Sequence, residues 1–383
     1  MGSWSELKIG SYSGFYAKNR FYEVIVELLF DYEDFQQREV LRDDETFMES
    51  VFETSVQVCL DRLIIIGSSE NNARKEFDTL LKMEEDSSIP ETYDRYVEFI
   101  LKCIRSGLNK NELESELLFP DSNAVANDFR IGLSTHSWLF SILYCLEPEL
   151  KITYDLSEVI NAGWVYPEEL KFLDYEKIIV LTEGKTDTNF IKTSIEMLYP
   201  HLVGRYHFMN FEDLDLNGSA SFLVHNVKSF IGSGIKNKIV ALFDNDTAGR
   251  KEHNRLMKFE IPHNIKVLKY PEINLAENYP TLGPTGVQEM NVNGLACSIE
   301  MYLGADVLRD ANNELSPIQW KGYDQAMNSY QGELIDKGEI QKRFREKVKH
   351  QKANGITSSG WDEMEILLRN IMNAWIKFEL FLR

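Results

Sequence analysis

Apolar residues fall into two textures along this chain. Between about residues 47 and 150 they recur every three or four positions, as in Phe47, Val51, Phe52, Val56, Cys59, Leu60 and Leu63, and again in Tyr93, Tyr96, Phe99, Ile100 and Cys103. That spacing predicts amphipathic helices. Ahead of them, residues 7–12 and 21–28 read as a small strand pair. After Glu176 the texture changes to short β-branched runs at 178–181, 207–211, 239–243 and 266–269, separated by helical patterns at 188–198, 219–231 and 247–259. Strand and helix in alternation predict a parallel α/β sheet. A loop rich in Pro, Gly and Asn follows at 271–294, then a short helix at 295–303. The last third returns to helix, with the stripe Met364, Leu367, Leu368, Ile371, Trp375, Phe378 and Leu382 forming either domain core or a dimer seam. The expected organisation is a mainly helical domain over 1–175, a Rossmann-like α/β domain with a parallel sheet flanked by helices over 176–305, and a helical segment over 306–383.

Composition narrows the class. A chain of 383 residues exceeds the ~100–200 residues of one domain. No apolar run approaches the ~18 residues of a membrane span, and the first twenty residues lack the basic start and apolar core of a secretory signal, so the chain is read as cytoplasmic with no membrane partner. Its four cysteines, Cys59, Cys103, Cys145 and Cys297, form no C-x-x-C pair, so buried thiols are expected rather than a zinc site or a disulfide framework. Net charge is −20, but unevenly spread: residues 1–176 carry 35 acids against 16 bases, and residues 177–383 carry 26 against 25. The second half is therefore the one able to approach a polyanion. Lys228, Lys236, Lys238, Arg250, Lys251, Arg255 and Lys258 cluster there in sequence.

Two of the apolar runs end in acids. KIIVLTEGKTD places Glu183 after the first strand, and IVALFDNDTAG places Asp244 and Asp246 after the third. In an open parallel sheet, ligands sit beyond the carboxyl ends of the strands where strand order reverses, so these side chains should converge. Carboxylates held together raise one another's pKa and call for a compensating cation. Oxygen-only ligands select a hard ion, Mg2+ or Mn2+, and one or two such ions beside phosphate mean phosphodiester chemistry.

The pair EGKTD and DNDTAG resembles the Toprim domain shared by type IA and type II topoisomerases, bacterial primases, small ribosomal-RNA maturation nucleases and the overcoming-lysogenization-defect nucleases. The likeness covers roughly residues 176–305. The intervening GSASFLVHNVKSFIGSGI looks like the Toprims found beside HEPN-type ribonucleases in bacterial defence operons, and the opening GSWSELKIGSYSG is similar to the HEPN/Toprim-associated domain that accompanies them. The resemblance implies metal binding or acid–base work for Glu183 and metal binding for Asp244 and Asp246. Gly184 and Gly249 would permit close backbone approach. Nuclease members use an acid a few residues after the glutamate, where Asp187 stands; its other reading is the N-cap of a helix starting at Thr188. Glu300, in LACSIEMYL, falls where such nucleases place a further acid, or is an exposed helix glutamate. Lys185 either contacts phosphate or is solvated. The family likeness further implies a DNA- or RNA-cutting antiviral or abortive-infection effector. It would act on nucleic acid, with an operon-encoded protein partner and self-association among the expected interactions, and the acidic N-terminal half as a regulatory or docking module. The alternative is a non-catalytic scaffold for a HEPN ribonuclease.

Other signals point elsewhere and fail. Gly184 to Thr186 reads GKT, but a phosphate-binding loop needs glycine at position 179, where Ile stands. Topoisomerase action needs a nucleophilic tyrosine in a companion domain and a large gate, and a primase ordinarily brings a zinc module that these cysteines cannot make. Arg130 with His136, and Arg345 with His350, satisfy the loose R-x4–6-H spacing of HEPN ribonucleases without the residue that often follows the arginine. The basic run KRFREKVKHQK (342–352) is a solvated helix face or a nucleic-acid contact.

Overall fold

The structure is a computed structural model that describes residues 2–10, 12–42, 45–83, 90–106, 132–172, 176–211, 216–357 and 359–376. It divides into two compact units, Met1–Tyr175 with Trp375–Arg383, and Glu176–Ala374.

The first unit carries strands β1 (Trp4–Ile9), β2 (Tyr12–Lys18), β3 (Phe35–Arg42), β4 (Glu45–Ser55) and β5 (Lys151–Asp155) in an antiparallel sheet of order β2-β1-β5-β4-β3. Helices α1 (Glu23–Leu29), α2 (Val56–Ile65), α3 (Glu70–Met83), α4 (Tyr93–Ser106), α5 (Thr135–Leu143) and α6 (Ser157–Asn161) accompany it. Leu7, Phe52, Leu63, Phe77, Tyr96, Trp138 and Tyr154 lie in one buried core. This unit is α+β rather than mainly helical. The stretch 21–28 holds no strand but most of α1, which begins at Glu23, and β1 pairs instead with β2. Phe47, Val51 and Phe52 belong to β4, and the helix begins only at Val56, where the Ser55 hydroxyl accepts the Val58 N–H. Ser50, Val51 and Phe52 are all buried, so β4 shows no period-two alternation there and its apolar spacing mimics a helix. Arg62 is buried among Asp31, at 2.9 Å, and Asp34, at 2.5 Å.

The second unit is built on β6 (Ile178–Leu181), β7 (Tyr206–Phe208), β8 (Ile239–Phe243) and β10 (Ile265–Lys269), parallel in the order β10-β8-β6-β7. Every residue of β8 is buried, as a continuous apolar run in the middle of a parallel sheet requires. Helices α7 (Lys185–Leu198), α8 (Ala220–Gly232) and α9 (Thr247–Leu256) follow β6, β7 and β8. Leu223, Val224 and Val227 of α8 pack with Leu181, Ala241 and Phe243 of the sheet. After β6 the chain builds β7 on one side, then returns to place β8 on the other, so strand order reverses between β6 and β8.

The remainder departs from expectation. The stretch 271–294 contains a hairpin, β11 (Tyr279–Gly283) with β12 (Gly286–Met290), and 295–303 is not one helix but strand β13 (Ala296–Cys297) followed by a 3-10 turn (Ile299–Tyr302). Short β9 (Asn245–Asp246) pairs with β13. Past α10 (Ala305–Leu308), the segment expected to be helical holds a second hairpin, β14 (Ile318–Asp324) with β15 (Ser329–Leu334), and β14 joins β11 to give a sheet ordered β12-β11-β14-β15. Helices α11 (Lys337–Asn354) and α12 (Asp362–Met372) close the unit. The boundary expected at 305 therefore separates nothing: hairpin and helices belong to the same compact unit as the parallel sheet. Met364, Leu367, Leu368 and Ile371 are buried on α12, while Phe378 and Leu382 lie outside the described residues. Among the described residues no helix is long and apolar enough to cross a membrane.

Candidate metal centre

Both strands that carry the acids run in the same direction and stand side by side, Leu181 beside Ala241. Extending β6 by two residues and β8 by one therefore brings Glu183 and Asp244 together at the carboxyl edge, at the strand-order reversal. The Glu183 Oε1 atom accepts the Asp244 backbone N–H at 2.9 Å. Thr182, buried just before it, donates through Oγ1 to the Gly184 carbonyl at 2.9 Å and meets the Thr188 hydroxyl at 2.7 Å, which ties the strand end to the first turn of α7.

Asp246 caps α9, its Oδ1 accepting the Gly249 N–H at 2.7 Å, while Oδ2 accepts from Gln331 Nε2 of β15 at 2.7 Å. Asp187 is no cap: α7 begins at Lys185, and Asp187 lies buried inside its first turn, accepting the Tyr270 hydroxyl at 2.8 Å. Glu300 is not an exposed helix glutamate either. Only 3% accessible, it accepts from Ser298 Oγ at 2.6 Å and from Gln341 Nε2 of α11 at 2.9 Å, with Lys337 Nζ 3.8 Å away. Lys185 is exposed on the rim of α7.

Electrostatics show that the acids share one site. Burial first, then Asp246 and Asp187, push the Glu183 carboxyl up to about 8. Burial and the charge of Glu300 raise Asp187 to about 6, against the donation from Tyr270. Asp244 is raised well above the usual carboxylate range by burial and then by Asp187, Glu183, Asp246 and Glu300 together. Its Oδ1 is buried and has no hydrogen-bond partner among the described residues.

Close packing fixes the backbone beneath these groups. A Cβ at Gly249 would stand 2.4 Å from the Asp244 carbonyl oxygen and 2.9 Å from Glu183 Oε1, so only hydrogen fits. Gly184, by contrast, has room, its nearest neighbour being Asp187 Oδ2 at 3.6 Å. The tight approach lies instead at Gly218, where a Cβ would fall 2.3 Å from the Glu183 carbonyl oxygen and 2.5 Å from the Gly184 Cα.

The acidic half of the chain can now be placed. Residues 1–174 match the family HEPN/Toprim N-terminal domain 1. The match supports the HEPN/Toprim association suggested by the opening residues. No curated protein matches the chain, and no solved structure does.

An all-carboxylate set with an orphaned buried oxygen on Asp244 has the donor chemistry of a hard divalent cation. Yet among the described residues no three His, Cys, Asp or Glu side chains stand ready to grip one ion. Glu183 turns one oxygen to the Asp244 N–H, and both oxygens of Asp246 are engaged within the protein. Four participants carried no recognisable signal in the sequence: Tyr270, Gln331, Lys337 and Gln341. Each comes from a distant segment. Of the two arginine–histidine pairs, Arg130 lies outside the described residues, and Arg345 and His350 are five positions apart on α11, which sets them about 140° apart around the helix.

Proposed function

We propose that residues 176–374 form a Toprim-type catalytic unit and that the protein is a Mg2+- or Mn2+-dependent nuclease, acting on DNA or RNA in bacterial antiviral defence. The observation that carries this reading is the gathering of Glu183, Asp187, Asp244, Asp246 and Glu300 at one edge of the β6–β8 pair, with a buried Asp244 oxygen lacking a partner among the described residues. Glu183, Asp244 and Asp246 would hold the cation, one of the Glu183 or Asp246 oxygens exchanging its protein partner for it. When bound, the ion supplies Lewis-acid polarisation of a phosphoryl oxygen and orients water for attack. Asp187, held by the Tyr270 hydroxyl, shares a hydrogen bond with Asp244, and Glu300, held by Ser298 and Gln341 with Lys337 nearby, adds its negative charge to the site. Lys185, two residues beyond Glu183, offers a positive charge to the phosphate undergoing transfer.

Cleavage of labelled DNA and RNA in Mn2+ tests the reading. It should vanish in Asp244→Asn while the melting temperature holds or rises. Undiminished cutting by that variant would refute the assignment.

A second reading is favoured by the engagement of both Asp246 oxygens within the protein. In it the acid cluster is a closed structural network, and the chain docks on an operon-encoded HEPN ribonuclease or on a second copy of itself to regulate it. Calorimetry separates the two, since a closed network takes up no Mg2+ or Mn2+.

A further inference from the structure

Helices α7 and α11 face one another across a groove of about 390 Å³. Its cations are Lys185 and, from α11, Arg345 and Lys352; its polar groups are Thr186, Asn189 and Thr193. No acid lines it. In a chain of net charge −20, three cations lining one groove form a distinct positive track. Arg345 and Lys352 lie on the same face of α11, seven residues and therefore about 10 Å apart.

Both walls are anchored at the acids. The α7 wall starts two residues after Glu183, and the α11 wall grips Glu300 through Gln341, one turn before Arg345. The track therefore leads away from the acid cluster rather than lying elsewhere on the surface. Its floor is rigid, with Phe190 and Phe344 packed edge to face at 5.0 Å and the Arg345 guanidinium over the Phe190 ring at 5.6 Å. Lys352 reaches Glu196 at 3.6 Å, both side chains being partly exposed, a pairing that exchanges readily for another anion.

We propose that this groove carries the phosphate backbone of a nucleic-acid strand to the acid cluster, with Arg345 and Lys352 as its positioning residues. The inference rests on the nuclease reading above. Its affinity would come chiefly from charge, with the Thr186 and Thr193 hydroxyls and the Asn189 amide beside the cations.

The test uses the full chain with EDTA present, so that binding is read without cleavage. A fluorescent single strand, DNA in one arm and RNA in the other, is titrated by anisotropy across salt concentrations. Arg345→Glu with Lys352→Glu should weaken binding about tenfold at low salt and flatten the log–log salt slope by about 1.4, or 0.7 for each lost single-strand phosphate contact. Lys82→Glu, exposed on α3 of the first unit, should bind as wild type. Loss in both arms marks backbone recognition, and loss in one arm names the sugar that the groove accepts. Wild-type affinity and slope in the double variant would overturn the proposal, as would a wild-type protein that binds neither strand. Hydrolysis of bis(p-nitrophenyl) phosphate in Mn2+ needs no groove. It should survive the double variant and vanish in Asp244→Asn, so a failure of the track is distinguishable from a failure of the metal site.

Discussion

Replacing Glu183 by Gln removes one ionisable group from the acid cluster and leaves an amide oxygen that can still accept the Asp244 N–H. The Glu183 carboxyl stands at about 8 in the folded chain against an ordinary 4.5. The folded state therefore holds its proton more tightly than the unfolded state does. Between those two values the unfolded chain has already ionised, so stability falls as pH rises, and above about 8 the loss is complete. At ~1.4 kcal/mol for each pH step, the loss is at most ~5 kcal/mol over the whole window and about 3 kcal/mol by pH 7. In Glu183→Gln this part of the pH dependence should disappear. Because the chain has two units, urea unfolding is best followed by hydrogen exchange in peptides containing β6 and β8, from pH 5 to 8 with metal chelated. Parallel pH curves for wild type and variant would refute the reasoning. Mg2+ should reverse the wild-type trend, since it binds ionised carboxylates. Its stabilisation, ~2.7 kcal/mol at a hundredfold excess over Kd, should be larger at pH 8 than at pH 6.

Three further outcomes follow from the packing. Gly249→Ala forces a methyl against the Asp244 carbonyl and Glu183 Oε1 and should cost about 1–3 kcal/mol, seen as a lower Tm, with loss of the metal response. Tyr270→Phe leaves Asp187 Oδ1 without its donor, and a loss of about 1–3 kcal/mol is expected, read as a lower Tm. Arg62→Ala strands Asp31 and Asp34 inside the first unit and should cost about 3–5 kcal/mol in urea unfolding, read in peptides from α2 and β4, with no change at the acid cluster.

The parallel sheet was legible because β6 and β8 are short apolar runs with acids at their carboxyl ends, a pattern that survives without knowledge of any partner. Of the five acids gathered at that edge, three were expected from their position after a strand and two from family likeness. What surrounds them was not. Gln331, Gln341 and Lys337 act through hydrogen bonds and charge across gaps of 37 to 85 residues, and a neutral amide has no characteristic spacing. The β14–β15 hairpin turns through Asn328 at φ 51°, a residue suited to that region, but its strands are largely exposed and lack an apolar face to announce them. In β4 the opposite condition hid the strand, since burial on both faces erased the alternation.

Gln331 and Gln341 also set a limit on dissection. Both belong to the chain beyond residue 305, and they supply donors to Asp246 and Glu300, so a piece cut at the end of the sequence likeness would keep all five acids and lose the amides that orient two of them. Such a piece would keep the carboxylates without the donors that aim them, whereas the compact unit that holds both amides runs from Glu176 to Ala374.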